Sequence, residues 1–218
     1  TSVVVVPAKN TGYNSLPTIS GTASDVYNLS VVYASIRQRD TTMYYNGVDT
    51  FSATTENWIQ VVQNPNWTVW KTTSPPYQSG VWYVAKSSAV DIAGNSQLIS
   101  SENVFTFDNV APQTAVETPV QFSTISVLST ISGTSTDPAS GPSAVRISIK
   151  QVGGNYWTGS DWTGGSEVYL TASTGVPTSG TLVWTYPGAS TGTIPSWTDS
   201  GADYDIHVFG IDKADNQE

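Results

Sequence analysis

Cysteine is absent from the 218-residue chain, so neither disulfides nor thiolate chemistry is available and stability must come from packing or from ions. Histidine is nearly absent as well. His207 stands alone, leaving a histidine-based catalytic triad one candidate base and no nucleophile motif around it. Positive charge is scarce and dispersed: 8 Lys and Arg against 17 Asp and Glu give a net charge of -9. A phosphate-backbone partner calls for a basic face, so no nucleic-acid partner is expected. No apolar run approaches the roughly 20 residues of a membrane span, and no stretch carries the period of a long amphipathic helix. Thr1 begins without an initiator Met or a signal sequence, which predicts a segment of something longer.

What remains is the composition of strands. Thr, Ser, Val, Tyr and Trp dominate, only 11% of residues are charged, and 18 Gly and 12 Pro punctuate short apolar runs. The chain also repeats itself. "PTISGTASD" (Pro17 to Asp25) returns as "STISGTSTD" (Ser129 to Asp137), an offset of 112 that also aligns "YYNG" at Tyr44 with "YWTG" at Tyr156. Further on, "VWK" at Val69 pairs with "VWT" at Val183, and "YVAKSSAVDIAGN" (Tyr83 to Asn95) with "YDIHVFGIDKADN" (Tyr204 to Asn216). An offset that holds and then grows means two homologous units with insertions in the second.

Each unit reads as short strands at regular spacing, which predicts two tandem immunoglobulin-like antiparallel β-sandwiches, an all-β fold, over residues 1–110 and 111–218. In the first unit strands are expected near Ser2 to Val6, Thr18 to Thr22, Leu29 to Arg39, Phe51 to Thr54, Trp58 to Val62, Val69 to Thr72, Val81 to Val90 and Asn103 to Phe107. Alternation supports them: Val145, Ile147 and Ile149 share a face opposite Arg146, Ser148 and Lys150. Asn46-Gly47 predicts a two-residue hairpin turn. "DIAGN" at Asp91 and "DKADN" at Asp212 fall in the loop after the penultimate strand, where an aspartate side chain can cap the turn. Trp70, Tyr83, Trp184 and Tyr204 recur in register and are expected in the cores.

These motifs carry a resemblance. "ISGTA.D" early, "D.AGN" late and the "FDNVAPQT" junction (Phe107 to Thr114) resemble bacterial immunoglobulin-like, or cadherin-like, tandem repeats of large extracellular surface proteins. The resemblance implies an extracellular or cell-surface location, a non-catalytic role as stalk, adhesin or surface-assembly module, and neighbouring repeats, a surface protein or a glycan as partners.

Two further expectations concern sites. The first unit continues past Asn95 into a last strand, whereas the second has only two residues after Asn216, so its last strand is expected to be truncated, disordered, supplied by a strand-complementing neighbour, or replaced by another closure. The second expectation is a Ca²⁺ site at the junction. Sandwich topology gathers the loops holding Asp137, Asp212 and Asp215 at the pole where the chain arrives with Asp108 and Asn109, and Ca²⁺ takes six to eight hard oxygens from such segments. This set resembles the interdomain calcium sites of cadherins and bacterial adhesin repeats. The competing function is a carbohydrate-binding accessory module of a secreted polysaccharide-degrading enzyme, with Trp58, Trp67, Trp162 and Trp197 as the aromatics to examine, since they do not recur clearly.

Overall fold

The computed structural model describes residues 1–63, 67–98, 101–188, 192–197 and 201–218. It divides into two compact units, Thr1–Asn109 and Val110–Glu218. No α-helix occurs among the described residues, and both units are β-sandwiches built mainly from antiparallel strand pairs.

The first unit comprises β1 (Ser2–Val6), β2 (Thr11–Tyr13), β3 (Thr18–Ala23), β4 (Leu29–Gln38), β5 (Tyr44–Tyr45), β6 (Phe51–Ala53), β7 (Ile59–Gln60), β8 (Val62–Gln63), β9 (Trp70–Thr73), β10 (Val81–Asp91) and β11 (Ser101–Phe107). One sheet runs β1-β3-β9-β8. The facing sheet runs β2-β11-β10-β4-β5-β6, with β7 also on β4. The second unit comprises β12 (Gln113–Thr118), β13 (Ile131–Thr136), β14 (Pro142–Gln151), β15 (Leu170–Thr171), β16 (Ser173–Thr174), β17 (Thr181–Tyr186) and β18 (Tyr204–Asp212). Its sheets are β12-β13-β17-β16 and β15-β14-β18.

Alternating strands supply the two cores. Ile19, Val32, Ala34, Ile36, Trp70, Tyr83 and Phe105 close the first, and Ile131, Val145, Ile147, Ile149, Leu182, Trp184 and Tyr186 the second. The repeated "ISGT" has a packing reason. Gly21 pairs across the ladder with Trp70 and Gly133 with Trp184. A Cβ at either glycine would run into the indole and into the carbonyl oxygen of Val3 or Ala115 on the next strand. Both indoles are fully buried.

Several predicted details change. The expected strand Trp58 to Val62 is two short ones, because the chain switches sheets at Val61: β7 lies on β4 and β8 on β9. The Asn46-Gly47 turn is longer than two residues. Asn46 Oδ1 accepts from the N–H groups of Val48, Asp49 and Thr50, so one side chain organises a five-residue loop in which Gly47 has φ +86°. β2 and β5 had no sequence signal, being two or three residues long. Tyr204, expected in the core beside Tyr83, is only half-buried, since β18 is flanked by β14 alone among the described strands.

Candidate functional site

The duplicated turn resolves into the same hydrogen-bond pattern twice. In the first unit Asp91 Oδ1 accepts from the N–H of Ala93 (2.8 Å) and Asn95 (2.9 Å), while Oδ2 accepts from Asn95 Nδ2 (2.8 Å). In the second, Asp212 Oδ1 accepts from Ala214 N–H (2.7 Å) and Asn216 N–H (2.9 Å), and Oδ2 from Asn216 Nδ2 (2.7 Å). The aspartate thus satisfies backbone donors that a tight strand-to-strand turn would strand, and the final Asn locks it from the side chain. The hydrogen bond from the Asn95 side chain, with those from the turn's backbone, holds the Asp91 carboxyl below its ordinary pKa.

The environments of the two copies diverge. Asp25 and Asp91, at the pole of the first unit, are exposed and half-exposed. Their counterparts Asp137 and Asp212 are 2% and 0% exposed. Asp137 follows β13 and its Oδ1 accepts from the N–H groups of Ala139, Ser140 and Gly141. Carboxylate oxygens of Asp137 and Asp212 lie within 4.8 Å of each other. Two buried carboxylates this close repel unless something positive or donating stands between them.

The other expected ligands fall out as follows. Asp215 is exposed, in the left-handed conformation (φ 64°) inside the turn. Asn109 is exposed and its N–H donates to Ser79 Oγ (3.2 Å). Asp108, at the end of β11, is fully buried. It accepts from the Ser79 hydroxyl (2.8 Å), and its own N–H donates to the carbonyl of Tyr13 (2.8 Å). The structure therefore brings Asp137 and Asp212 together within the second unit and leaves Asp215 and Asn109 on the surface.

His207 projects from the outer face of β18. Its Nδ1 lies 2.9 Å from Glu167 Oε1 and 3.2 Å from Tyr169 Oη, and this contact draws the Glu167 pKa down. Across the ladder from His207 stands Ser148. Ser148 is 2% exposed.

The eight Trp divide clearly. Trp67, Trp70, Trp157 and Trp184 are buried. Trp162 and Trp197 pack against the second core, and Trp82 lies under the Arg39 guanidinium at 5.7 Å. Trp58 alone reaches 36% exposure.

No protein-family model matches the chain, and no curated protein matches it. Among solved structures it is similar to fibronectin(III)-like modules of Clostridium thermocellum CbhA, at 15% identity and a TM-score of 0.40, covering 100% of this chain and 88% of that one. It is also similar to CopC from Methylosinus trichosporium OB3b (15% identity, TM-score 0.36, 50% of this chain and 94% of that one). A third similarity is to dimeric latent PorU from Porphyromonas gingivalis (12% identity, TM-score 0.31, 100% of this chain and 19% of that one).

Proposed function

We propose that the chain is a pair of non-catalytic structural or adhesion modules, a stalk, adhesin or surface-assembly segment of a larger extracellular bacterial protein. One observation carries this reading. The residues repeated in register go to folding tasks: Trp70 and Trp184 to the two cores, Gly21 and Gly133 to the space beneath them, Asp91 and Asp212 to the same turn cap. Duplication that preserves architecture while loops vary is what serial spacing modules require. Stretching the chain between its ends tests it: two separate unfolding events at resolvable force are expected, and extension without resistance would remove the stalk reading.

A cation belongs to the same proposal. Asp137 and Asp212 offer buried carboxylates to Ca²⁺ within the second unit, and the proposal retains Asp108 and Asn109 as the expected ligands from the junction. Asp215 would serve only from the rim. The alternative, a carbohydrate-binding accessory module, keeps Trp58 as its exposed aromatic. Affinity electrophoresis through soluble polysaccharides separates the two, with retardation that Trp58→Ala abolishes favouring the alternative.

A further inference from the structure

One constellation on the outer face of the sheets is built twice, and its two copies differ in one chemical respect. Glu56-Asn57-Trp58-Ile59-Gln60 and Glu167-Val168-Tyr169-Leu170-Thr171 each end in a two-residue edge strand, β7 on β4 and β15 on β14. Ile59 and Leu170 pack on the two cores. Alternation then turns Trp58 and Tyr169 outward, and continuing the register by one residue sets Trp58 beside Ser35 and Tyr169 beside Ser148. On the other side of those serines the ladder places Lys86 and His207. Each outer face thus carries the same row across three strands: an aromatic, a serine and a basic side chain.

In both copies the glutamate two residues before the aromatic closes the row. Lys86 Nζ lies 3.4 Å from Glu56 Oε1 and 2.9 Å from Glu102 Oε1 on β11. His207 Nδ1 lies 2.9 Å from Glu167 Oε1 and 3.2 Å from Tyr169 Oη. Ser35 and Ser148 are 1% and 2% exposed, and over these short side chains each glutamate reaches from the edge segment to the far strand. The row therefore fastens that segment to the sheet. Fastening matters, because a two-residue strand makes few ladder bonds of its own. In the second unit Tyr169 also meets Phe209 edge-on at 4.9 Å, and Phe209, on the outer face, is only 9% exposed.

The difference lies in the base. Burial opposes the Lys86 charge, but the hydrogen bonds to Glu102 and Glu56 outweigh it and hold the ammonium above its ordinary pKa, so the first row stays charged through the neutral range. Histidine is the side-chain type whose charge changes between about pH 5 and 8. Its Nδ1 here also has two claimants. Protonated, the ring donates to Glu167. Neutral, it either keeps the Nδ1 proton and faces Glu167 without charge, or loses it and accepts from the Tyr169 hydroxyl, leaving Glu167 no donor. The hydrogen bond from His207 is the chief cause holding the Glu167 carboxyl below its ordinary pKa. Its share of the contact is thus present above the ordinary carboxylate value and is lost as pH falls through the lowered one.

Other charges around the imidazole are accounted for. Ser148 is flanked on its face of β14 by Arg146, opposite Phe209, and by Lys150, opposite Asp205 of β18. Arg146 donates to Thr171 Oγ1, and Lys150 lies over the Tyr156 ring at 5.1 Å. Among the described residues, Glu167 is the carboxylate within hydrogen-bond distance of His207.

We infer that Glu167 and His207 form a pH-operated latch fastening segment 167–171 to the outer face of the second sandwich, whereas Glu56 and Lys86 form its permanently charged counterpart on the first. Below the titration of the His207 imidazole the latch is an ion pair. Above it the charge is gone, the segment opens more often, and the face of Phe209 beneath Tyr169 becomes accessible. The two units respond differently to one change of pH.

The test follows backbone amide protection in the full chain from about pH 5 to 8, corrected for the pH dependence of intrinsic exchange, alongside the imidazole titration by NMR. With 1 His in the chain, the imidazole signal is unambiguous. Protection at 169–171 is expected to fall about two- to fivefold as the ring deprotonates, the size of effect a surface ion pair supports, with 58–60 unchanged. His207→Lys should abolish the change, and Lys86→His should confer one on 58–60. Glu167→Gln, which keeps the shape without the charge, should hold 169–171 at the higher-pH level throughout. Protection that does not track the imidazole overturns the latch, and so does a change that persists in His207→Lys or Glu167→Gln. A flat response at 58–60 in Lys86→His would overturn the equivalence of the two rows.

Discussion

Gly133 lies directly across the ladder from Trp184, and the indole occupies the space in which a side chain at Gly133 would have to begin. The opposing wall is the backbone carbonyl of Ala115, which cannot swing aside as a flexible side chain could. Gly133→Ala is therefore expected to destabilise the second unit by about 1–3 kcal/mol, and Gly21→Ala the first by a similar amount, through overpacking. Urea melts read by Trp fluorescence check this. A lowered midpoint with an unchanged slope is the expected result; an unchanged midpoint would mean that the strands part easily and the repeated Gly has another cause.

Removing the indoles creates voids instead. Trp70→Ala and Trp184→Ala are each expected to cost their own unit about 3–5 kcal/mol. Tyr204→Ala should cost less than Tyr83→Ala, because Tyr204 is half-buried whereas Tyr83 is fully buried. Four single-variant melts decide it. Equal losses at the two tyrosines would contradict the difference in their burial.

The turn chemistry gives a pH signature. Asp91 has its folded-state pKa depressed, chiefly by the Asn95 side-chain hydrogen bond, so its ionised form is favoured by folding. Its contribution is fully present above the ordinary carboxylate pKa and disappears as pH falls through the depressed value. Carbon-detected titration of Asp91 should show a midpoint below the ordinary carboxylate value, and Asn95→Ala should return it toward that value. An Asp91 midpoint unaffected by Asn95→Ala would mean that the cap bonds are not formed in solution.

The all-β class and the pairing of Trp70 with Trp184 were legible in the sequence because alternation and repetition survive without any knowledge of neighbours. Asp91 as a turn cap was legible for the same reason, since the N–H groups that donate to it are all within four residues. Signals that depend on distant partners were not. β2 owes its existence to β11, some ninety residues away in sequence, and the burial of Asp212 against the exposure of Asp215 depends on which loops crowd the pole. Trp162 and Trp197 looked unmatched because their counterparts are Phe51 and Tyr77, equivalent in position around the central tyrosine but different in residue type.

Asp137 and Asp212 set the remaining prediction. Each already accepts backbone N–H groups, and the two buried carboxylates, within 4.8 Å of each other, offer the hard oxygens that a divalent cation takes. If Ca²⁺ binds only the folded pole, a hundredfold excess over its dissociation constant adds about 2.7 kcal/mol to the second unit. Thermal melting of the chain in calcium and then in chelator is expected to shift the second unit's transition and leave the first unit's in place, because Asp25 and Asp91 are open to water. Asp137→Asn should abolish the shift while keeping an acceptor for Ala139 and Ser140, whereas Asp215→Asn, on an exposed residue, should reduce it only slightly. A second-unit transition indifferent to both calcium and chelator would leave Asp137 and Asp212 as turn caps.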